Sequence, residues 1–282
     1  MKKPLLSIVI ANYNYGRFLE AAIKSVVHQD GFDKCELIVV DGGSTDNSVE
    51  IIKKYEDKIA WWVSEKDKGQ SDAFNKGFAH ANGKYLTWLN ADDLLIPGSL
   101  NKLVLFLENN PNEDWVSAST VYVTSNNEII TTGLKMVNFI ARLLFVPAWA
   151  GIAAPSTIFS KKLYIKAGGI DESLHYVMDT ELWMRFGELG KKLRYLNFDM
   201  WIFRLHEMSK TSSSITEGVR SEGFLKERVL IREKRNVNKF RDRMIVFRKR
   251  IACVLSFAYI RRFLLLRQNR GKNVLRVFRD SI

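Results

Sequence analysis

The 282 residues, 46% of them hydrophobic, suffice to bury a full core and set aside a disordered chain. Two cysteines, Cys35 and Cys253, stand far apart without metal-ligand spacing, and the expectation is a reducing, cytosolic compartment. The net charge of +12 belongs to one end: residues 1–215 hold 24 Lys+Arg against 25 Asp+Glu, whereas residues 216–282 hold 19 against 6. The charge therefore describes a nearly neutral body, 1–215, and a basic tail, 216–282, and no recognised nucleic-acid module accompanies it.

Met1-Lys2-Lys3 and the apolar run behind it imitate a secretion signal, but the run is short and passes into Asn12-Tyr13-Asn14-Tyr15 without a cleavage site. It is expected to be a first core strand, Leu5 to Ala11, followed by a helix with Phe18, Ala21, Ala22, Ser25 and Val26 at helical spacing. A second buried strand, Glu36 to Val40, ends in Asp41-Gly42-Gly43-Ser44-Thr45-Asp46, where glycines admit close backbone approach and Ser44 or Asp46 can cap the next helix. Asp41 is placed to accept from a ribose or a base, or to set the turn. A third strand, Ile59 to Ser64, precedes a polar segment, Glu65 to Gln70, and a helix carrying Ala73, Phe74, Gly77 and Phe78.

Tyr85 to Leu89 is the fourth strand, and it delivers Asn90-Ala91-Asp92-Asp93 at its end. Adjacent carboxylates repel, which a divalent cation or hydrogen-bond donors can offset; the same acids can simply cap a helix. Strands alternating with helices predict an α/β, doubly wound, mainly parallel sheet, whose ligand site lies at the carboxyl ends of its strands. Asn12, Asp41, the Lys68–Asp72 segment and Asp92-Asp93 all fall on that edge.

The succession Ser7–Asn14, Val39–Asp46, Lys68–Gly77 and Trp88–Asp93 resembles the family 2 glycosyltransferases of GT-A fold, over roughly residues 5–210. The resemblance implies an inverting transferase using Mg²⁺ or Mn²⁺ and a nucleotide-diphosphate sugar, expected to be a UDP-sugar. By the same resemblance Asn12, Tyr13, Asp41, Lys68, Asp72, Asn90 and Asp92 serve the nucleotide sugar, and Asp92-Asp93 form the metal motif. Asn90 stands where many members carry Asp. Gly168–Ser173 and Tyr176–Arg185 match the second-half signature, in which an acid at the position of Asp179 opens a helix near the anomeric carbon. A carboxylate there can take the acceptor's proton; Glu181 is its rival. His206 is a candidate metal ligand, with Arg204 and Lys210 as candidate phosphate contacts.

Trp115–Val123 and Glu128–Thr131 read as a hairpin, and Met136–Ile158, apolar but broken by Arg142, Pro147, Gly151 and Pro155, as a buried or acceptor-side segment rather than a membrane-dipping one, whose Phe139, Leu143, Leu144 and Trp149 could meet a lipid-linked acceptor. The tail reads as basic amphipathic helices that lie on an anionic surface or pack on protein. Together these features predict transfer to a saccharide or lipid-linked saccharide at the inner face of the cell membrane, in surface polysaccharide or glycan synthesis. A sugar nucleotidyltransferase would instead show a Gly-rich phosphate loop where Asn12–Tyr15 stand, and a non-catalytic sugar-nucleotide scaffold would account for Asn90.

Overall fold

The computed structural model describes residues 3–133, 156–207, 209, 221–235 and 239–279. Four parallel strands form its first half, β1 (Leu6–Asn12), β2 (Cys35–Asp41), β3 (Ile59–Ser64) and β4 (Tyr85–Asn90), ordered β3-β2-β1-β4. They alternate with α1 (Gly16–Val27), α2 (Ser48–Lys54) and α3 (Gln70–His80). Because side chains on a strand alternate between faces, β1 feeds two cores. Leu6, Ile8 and Ile10 pack with Leu19, Ala22 and Ile23 of α1, while Val9 packs with Phe74 and Phe78 of α3 on the opposite face. Gly77 lets α3 settle onto the sheet, since an added Cβ would collide with Val9.

Beyond β4 the sheet becomes mixed. The remaining elements are β5 (Leu94–Leu95), α4 (Ser99–Asn109), β6 (Trp115–Thr124), β7 (Ile129–Thr132), β8 (Thr157–Ser160), α5 (Lys161–Ala167), α6 (Met178–Glu188) and β9 (Arg194–Leu205). β8 pairs antiparallel with both β4 and β6, β6 runs parallel to β9, and β9 takes the short β5 antiparallel. The predicted hairpin is present, with Tyr122 opposite Thr131. The second core is aromatic: Trp88 and Trp183 stack with centroids 5.5 Å apart and planes 1° apart, with Phe159 and Phe186 edge-on around Trp183 and Phe159. α6, the helix of Asp179, is thereby fixed to β4, the strand of the acid motif.

The chain continues as α7 (Glu222–Lys234), α8 (Lys239–Leu255), α9 (Ala258–Asn269) and α10 (Val274–Arg279). Parts of this tail are docked: Ile231 of α7 joins the aromatic core, and Val274 is buried beside Val123 and Ile129. The Val274 N–H donates to the Asn127 carbonyl at 2.8 Å and the Gly271 N–H to that of Ile129 at 2.9 Å, so the tail's end is tied to the β6–β7 turn. Phe139, Leu143, Leu144, Trp149 and Lys210 lie outside the described residues.

Candidate active site

Parallel register brings the strand ends together: Asn12 stands beside Asp41, and Ala11 beside Asn90. Two loops at this edge are sewn to each other. The Asn14 N–H donates to Ser44 Oγ at 2.8 Å, the Thr45 N–H to Asn14 Oδ1 at 2.8 Å, and the Gly16 N–H to Asp46 Oδ2 at 2.8 Å. Above them opens a cleft of about 1330 Å³, including space open to solvent. Its walls include Asn12, Tyr13, Tyr15, Asp67, Gln70, Asn90, Asp92, His175, Tyr176 and Asp179.

Asp41 is not part of that wall. It is fully buried, and its carboxylate accepts from Asn12 Nδ2 (2.7 Å), Ser44 N (2.9 Å), Ser44 Oγ (2.5 Å) and Ser64 Oγ (2.6 Å). These four donors occupy its lone pairs and make Asp41 the anchor of the turn, the second of its two expected roles. What Asp41 orients is Asn12. With Nδ2 pinned to the carboxylate, Asn12 is left with a buried Oδ1 that has no partner among the described residues. Tyr13, 58% exposed, offers a ring at the same end of the cleft.

Lys68 and Asp72 also lie outside the cleft wall. The Lys68 ammonium is 3.5 Å from Glu172 in solvent, and Asp72 accepts from the Lys68 backbone N–H at 3.0 Å, clasping the loop that enters α3. Their segment reaches the cleft through Asp67, Gly69 and Gln70 instead. Gln70 was within the quoted motif but had no assigned role; its Nε2 donates to Asn90 Oδ1 at 2.9 Å, and Asn90 Nδ2 donates on to Asp93 Oδ2 at 2.8 Å. An amide at position 90 both accepts and donates. An aspartate could not make the second bond.

The two acids after it point to different places. Asp93 is buried, and its other oxygen accepts from the Arg204 N–H at 3.0 Å. Burial and the neighbouring Asp92 push its carboxyl well above the usual carboxylate range. Asp93 therefore joins β4 to β9 inside the protein and is set back from the cleft. Asp92 lines the cleft, with Oδ2 at 2.9 Å from His206 Nε2. His206 is buried, wedged against Tyr15 and Phe18 at centroid distances of 5.6 and 4.7 Å, with Arg17 Nη2 at 3.5 Å from Nδ1. The contact through Nε2 steadies Asp92. Arg204 is no free phosphate contact: its guanidinium donates to the Asp92 carbonyl at 2.9 Å and to Asn127 Oδ1 at 3.1 Å. Among the described residues no three His, Cys, Asp or Glu side chains converge as a metal cage. Asp92 nevertheless fits a hard cation that takes one or two carboxylates and completes its shell with substrate phosphate and water.

Asp179 and Glu181 separate cleanly. Glu181 is buried under Arg185, with Nη2 at 2.6 Å from Oε2, and Arg235, with Nη2 at 2.6 Å from Oε1. Asp179 lines the cleft, accepts the Thr180 N–H at 2.5 Å, and is pushed above the usual carboxylate range by burial. Val177 is the residue at the helix cap, so Asp179 is not spent on capping.

Residues 7–167 match Glycosyl transferase family 2. The chain belongs to that family. It is 26% identical over 272 residues to an uncharacterized glycosyltransferase of Rickettsia typhi, covering 90% of this chain and 83% of the relative. It is 27% identical to the UDP-Glc:alpha-D-GlcNAc-diphosphoundecaprenol beta-1,3-glucosyltransferase WfaP of Escherichia coli, covering 79% of this chain and 86% of WfaP. Among solved structures it resembles S. aureus TarS 1–349 in complex with UDP-GlcNAc, at TM-score 0.65 and 18% identity, over 86% of this chain and 70% of that one. Against the same fragment without ligand the chain spans 60% of that fragment. The fold is GT-A and the chain is a glycosyltransferase, which sets aside the nucleotidyltransferase reading.

The hydrogen-bond chain from Gln70 to Asp93 makes a prediction. Asn90→Asp sets a third carboxylate against Asp93 and removes its donor, and should destabilise the protein by about 1–3 kcal/mol at pH 7 in urea unfolding. Wild-type stability would show that Asp93 does not depend on the amide.

Proposed function

We propose that the cleft takes a UDP-sugar and transfers the sugar, with inversion, to a saccharide carried on a lipid diphosphate. The observation that carries the reading is the division of labour between two acids lining one cleft, Asp92 held by His206 and Asp179 hydrogen-bonded, among the described residues, to the Thr180 N–H and to no cation. Asn12 Oδ1 supports a pyrimidine imide: among the described residues it is a buried acceptor without a donor, and the N3–H of uracil supplies one. Tyr13 supplies a stacking face. WfaP, by its name, uses UDP-Glc and a diphosphoundecaprenol-linked acceptor.

Asp179 accepts the proton of the acceptor hydroxyl as that oxygen attacks the anomeric carbon from the face opposite the diphosphate. The bond from carbon to the diphosphate oxygen breaks, and the nucleoside diphosphate leaves with the electron pair. Asp92, steadied by His206, would hold Mg²⁺ or Mn²⁺, which neutralises charge growing on the leaving group. Asp93 and Arg204 hold Asp92 from behind through the backbone.

Two measurements test this. In a thermal-shift panel of UDP-, GDP- and dTDP-sugars, a UDP-sugar should raise the melting temperature in a Mn²⁺-dependent way, and Asp92→Ala should remove the dependence on metal. Equal silence from all three nucleotides would sink the donor assignment. Asp179→Asn should keep that shift and lose about 10²- to 10⁴-fold in turnover. The base works only when ionised, and its folded pKa is raised, so wild-type kcat should fall with decreasing pH through a midpoint above the ordinary carboxylate range. An acid limb at an ordinary carboxylate pKa would count against Asp179.

The tail supports placement at a membrane surface. Ile260 (54% exposed), Phe263 (63%) and Leu264 (51%) share α9 with Arg261, Arg262 and Arg267, while among the described residues no helix is long and apolar enough to cross a bilayer. Sedimentation with anionic vesicles should fall with added salt and drop about 10-fold or more in Phe263→Ser/Leu264→Ser. Equal binding to neutral vesicles, or no effect of the double substitution, would rule the surface out.

A further inference from the structure

Helix α7 belongs by charge to the basic tail, yet it reaches the segment that leads into α6. The Glu227 carboxylate accepts from three consecutive backbone N–H groups, those of His175 and Tyr176 at 2.8 Å and of Val177 at 3.1 Å. These groups flank the positive end of a helix beginning at Met178, whose cap residue, Val177, has no side chain able to serve it. Gly223, one turn before Glu227, lies where an added Cβ would meet Tyr176 Cε2 at 2.5 Å, so α7 approaches that ring as closely as backbone allows. Further along, Arg235 closes on Glu181, two residues beyond Asp179. The tail thus grips α6 on both sides of Asp179. His175, Tyr176 and Asp179 are themselves cleft wall.

We propose that Glu227 is a positioning residue for glycosyl transfer: from outside the cleft it fixes the His175–Val177 turn, and through it the placement of Asp179. The proposal rests on Asp179 being the base. Hydrogen bonds from neutral N–H groups to a carboxylate are roughly twice as strong as neutral pairs, and three on one carboxylate leave the turn little freedom. A base displaced by about 1 Å costs on the order of 100-fold in rate, so a contact remote from the reacting atoms is enough to govern turnover. Glu227 is also one of only 6 acids among residues 216–282, where an acid runs against the composition.

The test uses the full chain and compares wild type with Glu227→Gln, Glu227→Asp and Gly223→Ala. Glu227→Gln turns one acceptor oxygen into an amide NH2 donor facing N–H groups. It should speed amide exchange across residues 175–182 and lower kcat for UDP release from UDP-glucose with Mn²⁺ by about 10- to 100-fold, leaving the donor KM unchanged. Glu227→Asp, which keeps the charge, should recover part of kcat. Gly223→Ala leaves every charge in place and should show the same kcat-selective loss, which keeps the test alive if the Gln variant folds poorly. Unchanged exchange in Glu227→Gln, faster exchange with wild-type kcat, or a loss expressed only in KM would each overturn the proposal. Wild-type turnover in Asp179→Asn would instead overturn the base assignment beneath it, and the separate variant tells the two failures apart.

Discussion

The parallel pairing of β1 with β2 on one side and β4 on the other is the constraint on which the site depends. It is dictated by runs of buried aliphatic residues that leave both faces of these strands apolar, and a sheet covered on both faces ends its strands in a common edge. Asn12 and Asp41 become neighbours only through that register, as do Ala11 and Asn90. A slip of one residue would turn each side chain to the opposite face, so the cores that hold the register also hold the cleft.

The acid pair shows how a fold resolves a repulsion. Asp92 and Asp93 cannot both sit in one low-dielectric environment as bare charges without cost. The chain divides them: Asp93 turns inward to the Arg204 N–H and the Asn90 amide, Asp92 outward to His206 and the cleft. The inner acid then fixes the outer one. Arg204 adds a second tie by donating to the Asp92 carbonyl while lying 4.9 Å from the Phe18 ring centroid, so β9, β4 and α1 meet at a single guanidinium.

Much of this was legible in the sequence. Apolar runs and helical spacing located the first four strands and their helices, and the motifs at the strand ends named the right loops. Individual roles within those loops were less legible. Asp41, Lys68, Asp72 and Arg204 carry the chemistry expected of a binding residue, but each is engaged by neighbouring protein groups, a fact of three-dimensional packing that residue type and spacing do not encode. The departure at Asn90, which hinted at a defective site, turns out to be the residue that donates to Asp93 and accepts from Gln70. The choice of Asp179 over Glu181 rests in the structure on two arginines, one of them, Arg235, far away in the tail.

The tail is where composition misleads most. Its excess of Lys and Arg suggests an appendage separate from the body, and parts of α8 and α9 do present apolar and basic surface. Yet Ile231 and Val274 are core residues, and Glu227 and Arg235 engage the segment around Asp179. A charge count averages over a helix, whereas a helix has faces: α7 turns Ile231 and Glu227 to the body while Leu225, Val229 and Leu230 stay exposed. One stretch of chain can therefore brace the segment that walls the cleft and lead into the helices that carry the exposed basic and apolar surface. That continuity joins the segment carrying Asp179 to the helices that expose basic and apolar side chains.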